Sequence, residues 1–348
     1  MWKKMTALLL AAVMLASLCA GALAQTKTFI DDAGREVQVP AQISRIAVSG
    51  AVPQIMLYAI APDMFVGVAD RWYESAKPYI PQEHLEWPYL GKLYGSADMN
   101  VEQLALCDPQ VIIDMGEVKK GLTEDLDSLQ MQTSIPAVFV RFTLEDAPKA
   151  YRRLGELLGR EAQAQELADF CEQVFARTVS IMEKVGDNRK KVLFITGSEG
   201  HNVLAKGSYQ AEVIDMLADN LAVVSNPASK GTGNEVSMEQ IMLWDPEFII
   251  FAPESVYDKA ATDGTWSLMT AVAHGDYVQT PQGPHNWLGS PLSVQQILSL
   301  IWLPAVLYPE YCDYDVKAEI QTYYRLFYHC ELTDAQYDAL TAGAFLSK

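Results

Sequence analysis

Residues 143–188 read TLEDAPKAYRRLGELLGREAQAQELADFCEQVFARTVSIMEKVGDN, and this stretch decides the architecture. Thr143 followed three residues later by Asp146 resembles a capping box, and Leu144, Ala147, Tyr151, Leu154 and Leu158 recur at spacings of three and four, as one apolar helix face requires. Gly159 breaks the run. From Glu161 the stripe resumes through Leu167, Phe170, Val174, Phe175, Thr178, Ile181, Met182 and Val185, and Gly186 stands where a C-terminal cap belongs. About 25 helical residues at 1.5 Å each span roughly 37 Å, enough to cross a domain. A helical spine of that length divides the chain into two halves and directs attention to the cleft between them.

On both sides of the spine, short β-branched runs alternate with helical patterns. Before it come Thr28-Phe29-Ile30, a turn at Asp32-Ala33-Gly34, Val37-Gln38-Val39-Pro40, and strands at 45–48, 65–68, 111–114 and 137–140, with helices over 53–60, around 101–104 and over 122–129. After it, strands are expected at 191–195, 221–224, 248–251 and 277–279, and helices at 210–217, 238–243, 294–307 with a kink at Pro304, 314–329 and 334–342. Thr333 and Gln336 form the capping box of the last helix. Short apolar strands with helical connections predict parallel sheets covered on both faces. The fold class is therefore α/β, with two lobes joined by a long helix. The expected organisation is a leader at 1–24, an N-terminal lobe at 25–143, a linking helix at 144–186 and a C-terminal lobe with terminal helices at 187–348.

The leader reads as an export signal: Lys3 and Lys4, an apolar run from Thr6 to Leu18, and Ala22-Leu23-Ala24 as a small-residue cleavage site. That run is short for a membrane span. Cys19 raises a lipid-anchored alternative, but Leu18 stands where such processing wants a small residue, so a soluble periplasmic or cell-surface protein is expected. Cleavage removes two of the 26 basic residues and none of the 44 acids, leaving a net charge of −20 on 324 residues. Such a chain would repel nucleic acid and anionic lipid, and suits a cationic ligand, an arginine-lined partner, or simply solubility. None of Cys107, Cys171, Cys312 and Cys330 forms a C-x-x-C pair. Cys107 and Cys171 read as core thiols, and an oxidising compartment would permit a Cys312–Cys330 bridge.

Several segments carry a resemblance. Asp31-Asp32-Ala33-Gly34-Arg35-Glu36-Val37 through Pro40, Asn100-Val101-Glu102-Gln103-Leu104-Ala105-Leu106 with Asp108-Pro109, and Val236-Ser237-Met238-Glu239-Gln240-Ile241 with Asp245-Pro246 stand in order around the spine. Together they resemble the periplasmic solute-binding proteins of ABC importers for iron–siderophores, haem and cobalamin, over essentially the whole mature chain. The resemblance implies two Rossmann-like lobes joined by a helix, ligand held between them with little hinge motion, and a monomer with no resident cofactor whose partner is a permease dimer with its ATPase. Any metal would belong to the transported chelate. In this family one glutamate per lobe pairs with arginines of the permease, and Glu102 and Glu239 occupy those places. Each also suits the first turn of a helix on dipole grounds alone. Many relatives carry a glutamate where this chain has Gln54.

Ligands of open α/β sheets meet the loops at the C-terminal ends of strands. Those loops here hold Ser49-Gly50, Asp70-Arg71-Trp72-Tyr73, Lys92-Leu93-Tyr94-Gly95, Thr196 to His201, Lys206 to Tyr209, and Gln282-Gly283-Pro284-His285-Asn286-Trp287. Trp72, Tyr73, Tyr94, Tyr209 and Trp287 are candidates for stacking on a flat chelate, although each could instead cap a lobe. Arg71 could pair with a ligand carboxylate, and His285, His201 or a tyrosine could reach a metal centre. Ser49-Gly50 and Gly197-Ser198 could serve an oxyanion such as molybdate or tungstate, or merely permit tight turns. A bare divalent ion is disfavoured, because only His84, His201, His274, His285 and His329 are present and no two share an i, i+4 face. An exported hydrolase or cofactor enzyme is also disfavoured: G-x-S-x-G, G-x-x-x-x-G-K-[ST] and H-E-x-x-H are missing, and Gly231-Thr232-Gly233 lacks the third glycine and preceding strand of a dinucleotide site.

Overall fold

A computed structural model describes residues 25–228, 231–289 and 291–346; the expected leader with Cys19 lies outside them. The spine is two helices, Ala147–Leu158 and Glu161–Val185, packed on one another. Gly159 ends the first in a left-handed conformation at φ 67°, which costs glycine little. A Cβ on Gly155 would meet the Ala164 Cβ at 2.5 Å, so the glycine is what lets the two helices approach. Thr143 accepts a hydrogen bond from the Asp146 amide at 3.1 Å, and Asp146 is the cap residue from which the first helix starts.

Before the spine, β1 (Thr26–Ile30) and β2 (Glu36–Pro40) form an antiparallel ribbon. Then β3 (Ile46–Val48), β4 (Val111–Gly116) and β5 (Ala137–Arg141) form a parallel sheet in that order. β3 is wholly buried and β4 nearly so, as sheets covered on both faces require. The strand expected at 65–68 is reduced to single bridges from Phe65 to Ile46 and from Val68 to Tyr89.

After the spine, β6 (Lys191–Thr196), β7 (Asn202–Val203), β8 (Asp219–Asn220), β9 (Asn234–Glu235), β10 (Phe248–Phe251) and β11 (Tyr277–Gln279) build the second sheet. Its order is β11-β10-β6-β7-β9, with β8 beside β6. β6, β8, β10 and β11 run parallel, but β7 and β9 pair antiparallel, so this sheet is mixed where an all-parallel one was expected. Residues 221–224 are not a strand either. The Asn220 side chain holds the Leu204 carbonyl and the Ala222 amide, and this turns the chain away after two paired residues.

One apolar cluster runs from β2 through both spine helices to the terminal helices. The latter reach back to the N-terminal half: His329 Nε2 meets the Tyr58 carbonyl at 3.1 Å, Gln336 donates to the Pro78 carbonyl at 2.8 Å, and the Tyr79 and Tyr324 rings meet edge-on at 5.2 Å. The Thr333–Gln336 capping box is present, and Pro304 lies inside the helix Gln296–Leu307. Cys107, Cys171, Cys312 and Cys330 are all free thiols. Among the described residues no helix is long and apolar enough to cross a membrane.

Candidate functional site

A cavity of about 460 Å³ opens at strand ends of the C-terminal half, where Tyr73 of the N-terminal half meets them. β6 contributes Phe194 and Thr196, the turn after β10 contributes Ala252 and Glu254, and the segment after β11 contributes Gln282, Asn286 and Gly289. Gly231 and Thr232 close one side, and Tyr73 comes from the N-terminal half. The two halves touch here: Ser75 donates to the Pro284 carbonyl at 3.1 Å.

Each wall is held by specific bonds. Thr196 donates its hydroxyl to the Thr232 carbonyl at 2.8 Å, fixing the 231–233 loop against β6. Asn286 accepts from the Leu288 and Gly289 amides at 2.9 and 2.8 Å, so its own turn orients its amide group. On the N-terminal side, buried Gln54 accepts from the Ala69 and Asp70 amides at 2.9 Å each and donates to the Asp70 carbonyl at 2.9 Å. This three-point clip fixes the loop that leads to Trp72 and Tyr73. It gives the glutamine a role of its own at the position where many relatives carry a glutamate.

The predicted site residues separate into two groups. Trp72, Tyr73 and His285 come together: the His285 ring lies 5.7 Å from each of the other two, edge-on to Tyr73 and tilted against Trp72. Tyr73 is 42 % exposed and lines the cavity, while His285 stands behind it at 4 % exposure. Neither imidazole nitrogen of His285 finds a protein hydrogen-bond partner among the described residues. Burial lowers its pKa to about 4, so the ring is neutral at ordinary pH, the form in which histidine binds metals. The Trp72 indole N–H donates to the His84 carbonyl at 3.1 Å, which fixes the ring while leaving its π-face against His285.

The remaining candidates stand elsewhere. Trp287 is fully buried and packs edge-on against Trp302 at 6.1 Å; it belongs to the core and does not line the cavity. Ser49 is buried and donates its hydroxyl to Asp114, whose pKa burial raises, so that hydroxyl is already engaged. Arg71 lies over the Tyr89 ring at 4.8 Å, and Tyr94 lies under Lys119 at 4.3 Å. The Tyr209 hydroxyl is pushed up to about 12, by burial first and then by Glu117 from the loop after β4. Tyr209 does not line the cavity. His201 lines a different, smaller cavity with Met238 and Trp266. Glu254, Thr196, Gln282 and Asn286 are lining residues that residue type alone did not single out. Their common signal is position, since each follows a strand of the second sheet or ends it. Among the described residues, no three histidine, cysteine or acidic side chains are grouped to hold a metal ion.

Glu102 and Glu239 are exposed in the first turns of two short helices, Val101–Cys107 and Met238–Trp244. Asn100 caps the first by accepting from Gln103 N, and Ser237 caps the second by accepting from Gln240 N. Hydrogen bonds from its own backbone and Ser237 hold the Glu239 carboxyl below the usual range.

Comparison with known proteins identifies the family and the fold. The sequence profile of a family described as periplasmic binding protein matches residues 57–283. An ABC transporter solute binding protein from Sulfurospirillum deleyianum superposes with a TM-score of 0.82 at 25 % identity, over 90 % of this chain and 99 % of that one. A periplasmic solute binding protein from Veillonella parvula gives 0.76 at 25 % identity, over 92 % and 98 %. Molybdate-bound MolA of Haemophilus influenzae shares the fold, with a TM-score of 0.66 at 18 % identity over 88 % and 99 %. No curated protein sequence matches. The profile match covers well over half of the chain, and the chain belongs to the periplasmic binding protein family.

Proposed function

We propose that the protein is the extracytoplasmic solute receptor of an ABC importer, that it captures a compact metal chelate between two lobes, and that it hands the chelate to a permease dimer with its ATPase. The observation that carries this reading is His285, a buried, neutral imidazole whose two nitrogens find no protein partner among the described residues, packed against Trp72 and against Tyr73, which lines the cavity. Leaving such a group buried and unpaired costs on the order of 1–3 kcal/mol, a cost that a metal centre or ligand donor would relieve. Tyr73 and Phe194 offer apolar surface to an organic chelator, and the Glu254 carboxylate favours a ligand with cationic character. A cavity of about 460 Å³ fits a siderophore-sized ligand better than a corrin, and lies within the ~300–1,000 Å³ usual for small-molecule sites.

The lobe division at 25–143, 144–186 and 187–348, the export of the chain and its monomeric state belong to the same proposal. So do Glu102 and Glu239 as the docking carboxylates. The MolA relative keeps an oxyanion reading in view, but the hydroxyls of Ser49 and Thr196 are engaged by Asp114 and Thr232, and Glu254 would repel an anion. Native mass spectrometry of the mature protein with a ferric siderophore, haem, cobalamin and molybdate in parallel tests the assignment. Retention of one chelate intact and without turnover is the expected result. Retention of molybdate alone would move the assignment to an oxyanion receptor, and release of a chemically altered ligand would make the protein an enzyme.

A further inference from the structure

The two helices that carry Glu102 and Glu239 repeat one another residue by residue. Asn100-Val101-Glu102-Gln103-Leu104-Ala105-Leu106-Cys107-Asp108-Pro109 stands against Ser237-Met238-Glu239-Gln240-Ile241-Met242-Leu243-Trp244-Asp245-Pro246. Most of the repeat has a local structural cause. Asn100 and Ser237 cap the helices, and Leu104 and Ile241 are fully buried beneath them. Asp108 and Asp245 take left-handed conformations at φ 47° and 40°, and a proline follows each to stop the helix before β4 and β10. The exposed leucine position has no such cause. Leu106 and Leu243 are 80 % and 78 % exposed, each four residues after its glutamate and so on the same helix face. A single exposed leucine needs no explanation. Two of them at equivalent places, each one turn beyond an exposed carboxylate, indicate a shared requirement.

We propose that each half of the protein docks through a two-part foot, a carboxylate (Glu102 or Glu239) with an apolar plug one turn on (Leu106 or Leu243), and that the partner is a membrane permease dimer. Each subunit of that dimer would present a cation beside an apolar socket. The inference rests on the importer reading above and adds the leucines to it. A partner built from two like subunits explains why the same foot occurs twice in one chain. A second copy of this chain is a poor occupant, because its face would set glutamate against glutamate in a protein whose mature charge is already strongly negative. The carboxylate would set orientation and encounter rate, while the leucine, desolvated on docking, would slow dissociation.

A photo-crosslinking amino acid placed singly at positions 102, 106, 239 and 243 of the full-length protein, in cells of its own host, tests the surface. The expected result is crosslinking from all four positions to the same polytopic membrane subunit. With the permease–ATPase complex recovered in nanodiscs, Leu106→Ser and Leu243→Ser should each weaken association about tenfold, and the pair on the order of a hundredfold. Ligand retention in the mass-spectrometric panel should be unchanged. Crosslinks from 102 and 239 without any from 106 and 243, or leucine variants that dock normally, would overturn the plug while leaving the importer reading intact. Crosslinks to a second copy of this chain, or to no membrane protein from any position, would overturn both.

Discussion

Two exposed short helices, one in each half, repeat one another, whereas the residues each half brings to the cavity do not. Val101–Cys107 and Met238–Trp244 share capping, an inward aliphatic residue, an Asp-Pro exit and the exposed Glu and Leu. At the cleft, nine of the ten lining residues come from the C-terminal half, and Tyr73 alone comes from the N-terminal half. Behind Tyr73 the N-terminal half is braced by its own bonds, with Ser49 held on Asp114 and the Ala69–Asp70 turn clipped by Gln54. Repetition thus stands where a partner of two like subunits would be met. Divergence stands where one asymmetric small molecule would be held.

The largest effect should come from breaking the repeat. Reversing both charges with Glu102→Lys and Glu239→Lys should abolish uptake in cells, a loss of a hundredfold or more, with ligand binding by the purified protein unchanged; uptake that survives would sink the docking role. Next is the core beside the cleft. Trp287→Ala should destabilise the fold by about 3–5 kcal/mol in urea unfolding, because it empties a fully buried site against Trp302. A cleft-lining tryptophan would instead cost affinity with little loss of stability.

Acid should act through His285. The folded state holds its proton only below about pH 4, whereas the unfolded chain takes it up near 6.5, so lowering the pH across that window favours the unfolded state. The stability lost to this group between pH 6.5 and pH 4 is on the order of 3 kcal/mol, and a His285→Gln variant should flatten that part of the profile. Smaller still is the effect at the asymmetric wall. Glu254→Lys should weaken binding of the captured chelate about tenfold, as expected for loss and reversal of one partly solvated charge, and leave docking intact.

The spine and both short helices that carry Glu102 and Glu239 were legible in the sequence because local chemistry defines them: Gly159 interrupts an otherwise continuous stripe, and an N-cap with Asp-Pro brackets each short helix. The cleft was legible only by loop. His285 and Trp287 stand two residues apart in one segment, yet one ring abuts the site wall and the other enters the core against Trp302, a choice made by tertiary packing. Glu254 follows a strand whose exit turn carries no aromatic to mark it. The two-residue strands β7 and β9 are too short for any period to declare their antiparallel pairing. Gln54 signalled a departure from its relatives, but its three hydrogen bonds depend on a loop more than a dozen residues away.

On the reading proposed above, a metal chelate is held between Tyr73, with His285 packed behind it, and Glu254. Anomalous diffraction at the metal's absorption edge, from crystals grown with whichever chelate the protein retains, tests it most directly. A single anomalous peak is expected in the cleft between Tyr73 and Glu254, on the side of His285. A peak in the smaller cavity beside His201, or bound ligand with no metal in the cleft, would contradict it.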